Sequence, residues 1–211
     1  PTIDSTAVTT VDEDALYSYT VVASDVDAND GMTLSVTSTL PTWLSFDATT
    51  GVLSGTPLNA HVGTQAVTVQ AEDTAGATAT QTFTITISNT NDAPTITSTA
   101  PTSVDEDSAY SYTVQTSDVD VGDSVSLTGT TIPSWMAFDA ETGVLSGTPS
   151  NSDVGSHSVT ITAEDDAGAT ATDTFSITVA NTNDAPTIDS TAVTSVDEDS
   201  VYSYTATGAD V

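Results

Sequence analysis

The stretch GVLSGTP occupies residues 51–57 and recurs unchanged at residues 143–149, 92 residues further along the chain. The stretch VDED has copies at residues 11–14, 104–107 and 196–199, and each copy is followed two residues later by Tyr-Ser-Tyr-Thr. A fixed period of 92 or 93 residues decides the architecture before any single residue is interpreted. The chain is therefore built from repeats, and the repeat unit is the object to be explained.

A third shared stretch, NTNDAPTI, ends one copy and begins the next at residues 89–96 and 181–188. These boundaries predict two complete repeats, 1–92 and 93–184, and the N-terminal strands of a third repeat in 185–211. About 90 residues can bury a hydrophobic core of their own, so each complete repeat is expected to be a domain and not a solenoid unit.

The pattern inside each repeat has period two. Residues 82–87 read TFTITI, which places the apolar side chains on one face of a strand and threonine on the other. Turn residues divide the first repeat into seven predicted strands: 3–11, 15–23, 32–38, 42–47, 50–55, 64–72 and 78–88. Seven short antiparallel strands and no convincing helix predict an all-β fold of tandem seven-stranded Greek-key β-sandwiches.

The charge of the chain limits its partners. It contains 30 Asp and Glu residues and no Lys, Arg or Cys, for a formal charge of −30. This balance excludes nucleic acid, and no apolar run approaches the roughly 18 residues of a membrane-spanning helix, so we expect no membrane insertion. Because no side-chain cation is available, carboxylates that the fold brings together must remain in water, be protonated or share a bound cation.

The predicted strand path gathers acidic and amide side chains at the ends of each sandwich. The end of one repeat faces the start of the next in a tandem array, and oxygen ligands meet at each junction. The first predicted site contains Glu13 or Asp14, Asn89, Asn91, Asp92, Asp118, Asp120 and Asp165. The second contains Glu106 or Asp107, Asn181, Asn183, Asp184 and Asp210.

Carboxylate, amide and carbonyl oxygens of this number are the ligands that Ca²⁺ accepts, whereas Mg²⁺ keeps more water and Zn²⁺ prefers His or Cys. An EF-hand loop starting at Asp25 fails, because its sixth and twelfth positions are Asp30 and Val36. The alternative is that these acids are ordinary solvated turn formers, since Asp and Asn are common in turns.

The signature PTWLSFDATTGVLSGTP, together with ASDVD, VTVQAEDTAG and NTNDAP, resembles the cadherin-like domains of the dystroglycan type, and the related immunoglobulin-like (He_PIG) repeats, of bacterial surface proteins. The resemblance implies cadherin/Ig-like sandwiches with Ca²⁺ between successive domains, bound by residues matching Glu13, Asn89, Asn91, Asp92, Asp118, Asp120 and Asp165. The linker here begins with Asn, and the acidic D-R-E motif has no match in residues 58–61. The resemblance therefore implies one or two ions per junction.

The remaining candidate residues are expected to have structural roles and not catalytic ones. Trp43 and Trp135 follow a proline in a strand and are expected to pack at the core or its edge, as are the Tyr pairs such as Tyr17 and Tyr19. His61 aligns with Asp153 in the second copy, so it is not expected to be catalytic. Hydrolase motifs are absent from the sequence, which predicts a protein that is not an enzyme.

The leading hypothesis is a calcium-binding structural or adhesive repeat module of an extracellular or cell-surface bacterial adhesin, in which Ca²⁺ at the junctions stiffens the array of neighbouring repeats. The alternative is a polysaccharide-binding module, which would present an exposed aromatic face. Adhesion to a cell-surface partner or to a second copy of the chain is a third possibility.

Overall fold

The computed structural model describes residues 1–27 and 31–210, and its chain forms two compact units. The first unit contains Pro1–Asp92 together with Val119–Gly122, and the second contains Ala93–Asp118 with Asp123–Val211. Each unit has its own hydrophobic core.

The described residues of the first unit form nine strands. They are β1 (Thr2–Ile3), β2 (Thr10–Asp12), β3 (Tyr17–Thr20), β4 (Ala23–Ser24), β5 (Met32–Val36), β6 (Leu44–Asp47), β7 (Val52–Gly55), β8 (Gly63–Asp73) and β9 (Thr78–Ser88). One sheet has the order β2-β9-β8-β5 and another the order β3-β7-β6, while β1 pairs with β4. A 3₁₀ turn, Asn59–His61, lies between β7 and β8.

Alternating side chains build the core between these sheets. Val67, Val69, Ile85 and Ile87 from the long β8–β9 hairpin are almost fully buried, and the Thr residues between them face outward. From the other sheet come Tyr17, Tyr19, Leu44 and Leu53. The predicted packing of the tyrosine pairs is confirmed for Tyr17 and Tyr19, which are 1% and 4% exposed, and is wrong for Tyr202 and Tyr204, which are 52% and 37% exposed.

Two predicted strands are each interrupted in the structure. The segment predicted as strand 3–11 forms β1, which pairs with β4, and then β2, which pairs with β9. The chain crosses from one sheet to the other between these two short strands. Since β2 keeps the direction of β1 while changing sheets, it runs parallel to β9, and the prediction that all strands are antiparallel is wrong at this pair. The predicted strand 15–23 likewise divides into β3 and β4.

The second unit repeats this arrangement. Its strands are β10 (Thr95–Ile96), β11 (Ser103–Asp105), β12 (Tyr110–Thr113), β13 (Thr116–Ser117), β14 (Ser126–Thr131), β15 (Met136–Asp139), β16 (Val144–Gly147), β17 (Gly155–Glu164) and β18 (Thr170–Ala180). The sheets have the orders β11-β18-β17-β14 and β12-β16-β15, and β10 pairs with β13. Two further short strands, β19 (Thr187–Ile188) and β20 (Gly208–Ala209), pair with each other. The all-β sandwich class predicted from the sequence is confirmed.

A close approach of two backbone segments requires the second glycine of the GVLSGTP stretch. A Cβ atom at Gly55 would lie 1.8 Å from the carbonyl oxygen of Trp43, and one at Gly147 would lie 2.2 Å from that of Trp135. Because real Cβ atoms do not approach a carbonyl oxygen so closely, only glycine fits where β6 and β7 meet and where β15 and β16 meet.

The two tryptophans pack at the edge of their cores, as expected. Trp43 lies edge-on to Tyr17 with ring centroids 6.2 Å apart, and Trp135 lies edge-on to Tyr110 at 6.3 Å. Each tryptophan also contacts a histidine ring of its own unit. His61 reaches Trp43 from the 3₁₀ turn, and His157 reaches Trp135 from β17. The sequence alignment did not reveal this shared contact, because the two histidines occupy different positions in their repeats.

Candidate metal centres

The VDED turn directs Glu13 into the first unit. The Glu13 N–H donates to the carbonyl of Ser88, and the Asp14 N–H donates to the carbonyl of Pro57, which fixes the chain just after β2. Asp14 has a φ of 58°, a left-handed conformation that Asp tolerates better than most residues. The turn therefore buries the Glu13 side chain, which is 2% exposed, and leaves Asp14 exposed.

The two carboxylate oxygens of Glu13 have different surroundings. Oε1 accepts a hydrogen bond of 2.8 Å from the N–H of Thr90 in the NTND stretch. Oε2 is buried, and within residues 1–27 and 31–210 it has no hydrogen-bond partner. A buried carboxylate oxygen in this state requires a proton or a cation, because burying an uncompensated charge is unfavourable.

Asp92 and Asp120 lie beside Glu13. The Asp92 N–H donates to Asp120 Oδ2 at 2.7 Å, and the side-chain amide of Asn59 donates to Asp120 Oδ1 at 2.8 Å. Asp120 is 5% exposed. Carboxylate oxygens of Glu13, Asp92 and Asp120 all lie within 4.8 Å of one another, and we name these three residues the first cluster. All three belong to the first compact unit.

A second cluster lies in the second unit and consists of Asp118, Asp123 and Asp165, whose carboxylate oxygens again lie within 4.8 Å of one another. Asp165 is 6% exposed, and its Oδ1 accepts hydrogen bonds from the N–H groups of Ala167 at 2.9 Å and Ala169 at 2.8 Å. These bonds hold the carboxylate at the turn between β17 and β18.

Asp123 was not among the ligands predicted from the sequence. The available signal was the spacing D-x-D-x-x-D, which Asp118, Asp120 and Asp123 share with Asp25, Asp27 and Asp30 of the first repeat. Asp30 lies outside the described residues. Asp25, the counterpart of Asp118, is 2.7 Å from the amino group of Pro1. Its pKa is lowered, first by the hydrogen bond from the Asp27 N–H and then by the Pro1 amine.

The amide residues predicted as ligands lie on the exposed NTND stretches. The side-chain amide of Asn91 donates to the carbonyl of Asp92 at 3.2 Å, and that of Asn183 donates to the carbonyl of Asp184 at 2.9 Å. Asn181 donates to the carbonyl of Thr182 at 3.1 Å. Asn89 is exposed. These hydrogen bonds of Asn91, Asn181 and Asn183 are therefore made within the NTND stretches themselves.

The second predicted site is assembled only in part. Glu106 is 2% exposed, its Oε1 accepts from the Thr182 N–H at 2.6 Å, and its Oε2 is buried without a hydrogen-bond partner among the described residues. This environment matches that of Glu13. Asp107 and Asp210 are exposed and Asp184 is half-buried, and these acids do not join Glu106 in a group of three within residues 1–27 and 31–210.

The chemistry of both clusters suits a hard divalent cation. Their donors are carboxylate oxygens, and neither cluster contains His or Cys. Two unit charges 4.8 Å apart repel by about 0.9 kcal/mol in water and by about 3.5 kcal/mol at an effective dielectric constant of about 20. A bound cation would replace this repulsion with attraction, and an all-oxygen set favours Ca²⁺ over Zn²⁺.

A family model described as "Putative Ig domain" (He_PIG) matches residues 1–88 and again residues 93–180. Together these matches cover well over half of the chain, so the chain belongs to this family of immunoglobulin-like domains. The resemblance that the signature motifs indicated is thereby confirmed.

Curated relatives carry the name "Serine-rich adhesin for platelets". The protein of that name from Staphylococcus aureus strain MSSA476 is 30% identical over 155 residues, which covers 74% of this chain and 7% of the relative. The protein from strain MRSA252 is also 30% identical and is covered to 11% of its length. The chain thus spans only a small part of these relatives.

Solved structures of cadherin repeats have the same fold. PcdhgB3 EC1-4 matches with a TM-score of 0.56 at 22% identity, covering 82% of this chain and 47% of that one. The extracellular cadherin domains 3–6 of protocadherin gamma B2 match with a TM-score of 0.57 at 17% identity, covering 90% and 47%. At these identities the likeness concerns the fold. In the described residues no helix is both long and apolar enough to cross a membrane.

Proposed function

We propose that this chain is a calcium-binding structural and adhesive repeat module of a bacterial cell-surface or secreted adhesin. The observation that carries the proposal is the buried Oε2 of Glu13, which has no hydrogen-bond partner among the described residues. Glu13 belongs to a group of three carboxylates in a chain without Lys or Arg. Ca²⁺ is the cation, because the donors are oxygens and extracellular modules bind it with dissociation constants of about 10⁻⁴ to 10⁻³ M.

The function of the metal is mechanical. The proposed repeats are 1–92, 93–184 and the partial repeat 185–211, so Asp118 and Asp120 follow the boundary between the first two. Asp120 belongs to the first cluster and Asp118 to the second, and these two residues are separated by only Val119. Ca²⁺ in both clusters would hold this segment at two points and stiffen the connection between repeats.

The module is proposed to be non-enzymatic, since its acids lie in compact carboxylate groups and its tryptophans pack on the cores. Trp43 and Trp135 pack against these cores and therefore do not form the exposed aromatic face that the polysaccharide alternative requires. The adhesin name of the curated relatives supports a location at the bacterial surface, with neighbouring repeats as the first partners.

The test is a calcium titration of the EDTA-treated protein by isothermal calorimetry, with melting temperature and small-angle scattering measured in parallel. We expect binding with a dissociation constant of about 10⁻⁴ to 10⁻³ M, a higher melting temperature and a narrower distribution of particle dimensions. Mg²⁺ at the same concentration should have a smaller effect. Absence of calcium binding up to 10-fold above that range would refute the proposal.

A further inference from the structure

The second unit has an open sheet edge. Strand β18 pairs with β17 from Thr170 to Val179, but on its other side β11 pairs with it only at Thr178–Ala180 in the described part of the chain. The N–H of Thr178 donates to the carbonyl of Thr102 on that side. Because backbone groups alternate along a strand, Thr172, Thr174 and Ser176 direct their N–H and C=O groups to the same open edge.

A groove of about 450 Å³ runs beside this edge, between β18 and the segment that connects β10 to β11. Ile96, Ala100 and Phe175 form its apolar part, and Ser98 and Thr102 contribute hydroxyl groups. The carboxylate of Asp173 also lines it. None of these residues belongs to either carboxylate cluster.

The first unit shows what fills the corresponding space. Gln81 is the counterpart of Asp173, and its side-chain N–H donates to the carbonyl of Ser5 at 2.9 Å while its Oε1 accepts from the Tyr19 hydroxyl at 2.7 Å. The Gln81 side chain thereby joins β9 to the segment that precedes β2. In the second unit Asp173 is one methylene shorter and has no N–H to donate.

The second unit therefore lacks the donor that Gln81 supplies to the carbonyl of Ser5 in the first unit. Ser98 is the counterpart of Ser5, and the Tyr112 hydroxyl lies 2.7 Å from the Ser98 hydroxyl. The carboxylate of Asp173 adds a negative charge at the same place. A ligand that replaces the Gln81 amide must supply an N–H donor, and a positively charged donor would also pair with Asp173.

We propose that this edge and groove bind an extended segment of a partner protein by strand addition, with an arginine of that segment directed at Asp173. The open backbone groups of β18 supply main-chain hydrogen bonds, and Asp173 supplies specificity. Arginine suits the site because its planar fork can donate to the carboxylate and to the Ser98 carbonyl together. A second copy of this chain cannot supply the cation, because it has no Lys or Arg and carries a charge of −30.

The probe is a synthetic heptapeptide, acetyl-Thr-Val-Thr-Arg-Thr-Val-Thr-amide, titrated into the ¹⁵N-labelled full chain while amide shifts are followed by NMR. We expect the amides of Thr172, Thr174 and Ser98 to shift, with a dissociation constant of about 10⁻⁴ to 10⁻³ M and about tenfold weaker binding when Arg is replaced by Glu. The titration is run in 10 mM calcium and again in EDTA. Equal affinities are expected, so this result stands apart from the calcium test.

Three variants provide matched controls. Asp173→Asn removes the charge at constant size, and Asp173→Gln restores the first-repeat residue that closes the groove; each should weaken binding about tenfold or more. Gln81→Asp should open the corresponding groove in the first unit and add a second set of shifting amides. The dispersion of each variant's own spectrum shows that it is folded.

The proposal is wrong if the Arg and Glu peptides bind equally, if Asp173→Gln binds as tightly as the parent chain, or if the shifts appear away from β18. Cellohexaose serves as the neutral sugar probe. Shifts at Thr172 and Thr174 with cellohexaose and none with the peptide would assign the groove to carbohydrate and overturn the proposal.

Discussion

Replacement of Glu13 by Gln tests the origin of cation dependence in the first unit. The substitution removes one negative charge from the first cluster at almost constant volume. Gln retains an oxygen that can accept from the Thr90 N–H, and its N–H₂ group can donate to a carboxylate of the first cluster. A repulsive contact thus becomes a hydrogen-bonding one.

The expected gain in the free energy of unfolding follows from the distances between the carboxylates. Glu13 is part of two charge pairs no more than 4.8 Å apart, each worth about 0.9 kcal/mol in water and about 3.5 kcal/mol at an effective dielectric constant of about 20. In EDTA, Glu13→Gln should therefore raise the free energy of unfolding of the first unit by about 2 to 7 kcal/mol.

Calcium should stabilise both proteins, but it should stabilise the parent chain more. At 100 times its dissociation constant, a ligand stabilises the folded state by about 2.7 kcal/mol, and a tenfold weaker site gains only about 1.4 kcal/mol at the same concentration. The parent chain should therefore gain more stability from calcium than Glu13→Gln does.

The measurement is urea unfolding followed by tryptophan fluorescence in a Trp135→Phe background, where Trp43 is the remaining tryptophan and reports on the first unit. The control is Asp14→Asn, which removes a charge one residue away on an exposed side chain outside the cluster and should change neither stability nor calcium response appreciably. If Glu13→Gln is less stable than the parent chain in EDTA, repulsion between these carboxylates does not limit the calcium-free fold.

Burial raises the pKa of Tyr17 from 10.0 to about 12, and Tyr19 adds to the shift; the folded state therefore favours the protonated phenol. Stability should be constant below pH 10 and fall by about 2 to 3 kcal/mol as the pH rises to 12, a loss that Tyr17→Phe should abolish in urea titrations of the first unit. Gly55→Ala should destabilise the first unit by at least about 3 kcal/mol because its Cβ would strike the Trp43 carbonyl, and thermal unfolding should show no comparable loss for Ser54→Ala. Glu106→Gln should stabilise the second unit in EDTA by less than Glu13→Gln stabilises the first, with no change in calcium affinity; a loss of calcium binding would contradict the geometry.

Much of the fold can be predicted from the alternation of apolar and polar residues and from the positions of turn residues. Residues 78–88 were predicted as a strand, and β9 occupies the same residues. The interruption of the first predicted strand could not be read from its own residues, because no Gly or Pro lies between β1 and β2 to mark a break. The partner of each half is set by tertiary packing, which local propensity does not encode.

At the candidate site, the sequence limited which residues could be metal ligands but did not identify all of them. It left Glu13 and Asp14 as alternatives, and the left-handed turn at Asp14 determines which side chain is buried. Asp123 was not predicted as a ligand, because the prediction rested on the D-x-D pair of Asp118 and Asp120 and left out the third acid of that turn. Turn conformation and loop path are three-dimensional properties. The burial of Glu13 in place of Asp14 and the position of Asp123 beside the other acids could therefore be established only from the structure.

The contact between the tryptophan and histidine rings is formed in both repeats from different sequence positions. His61 and His157 do not occupy equivalent positions, yet each ring reaches the tryptophan of its own unit, at centroid distances of 6.3 and 5.8 Å. The position of His61 is Asp153 in the second repeat, and the position of His157 is Gln65 in the first. The two repeats thus provide the same pairing of rings from different positions, and a comparison of contacts reveals a likeness between them that a comparison of aligned residues misses.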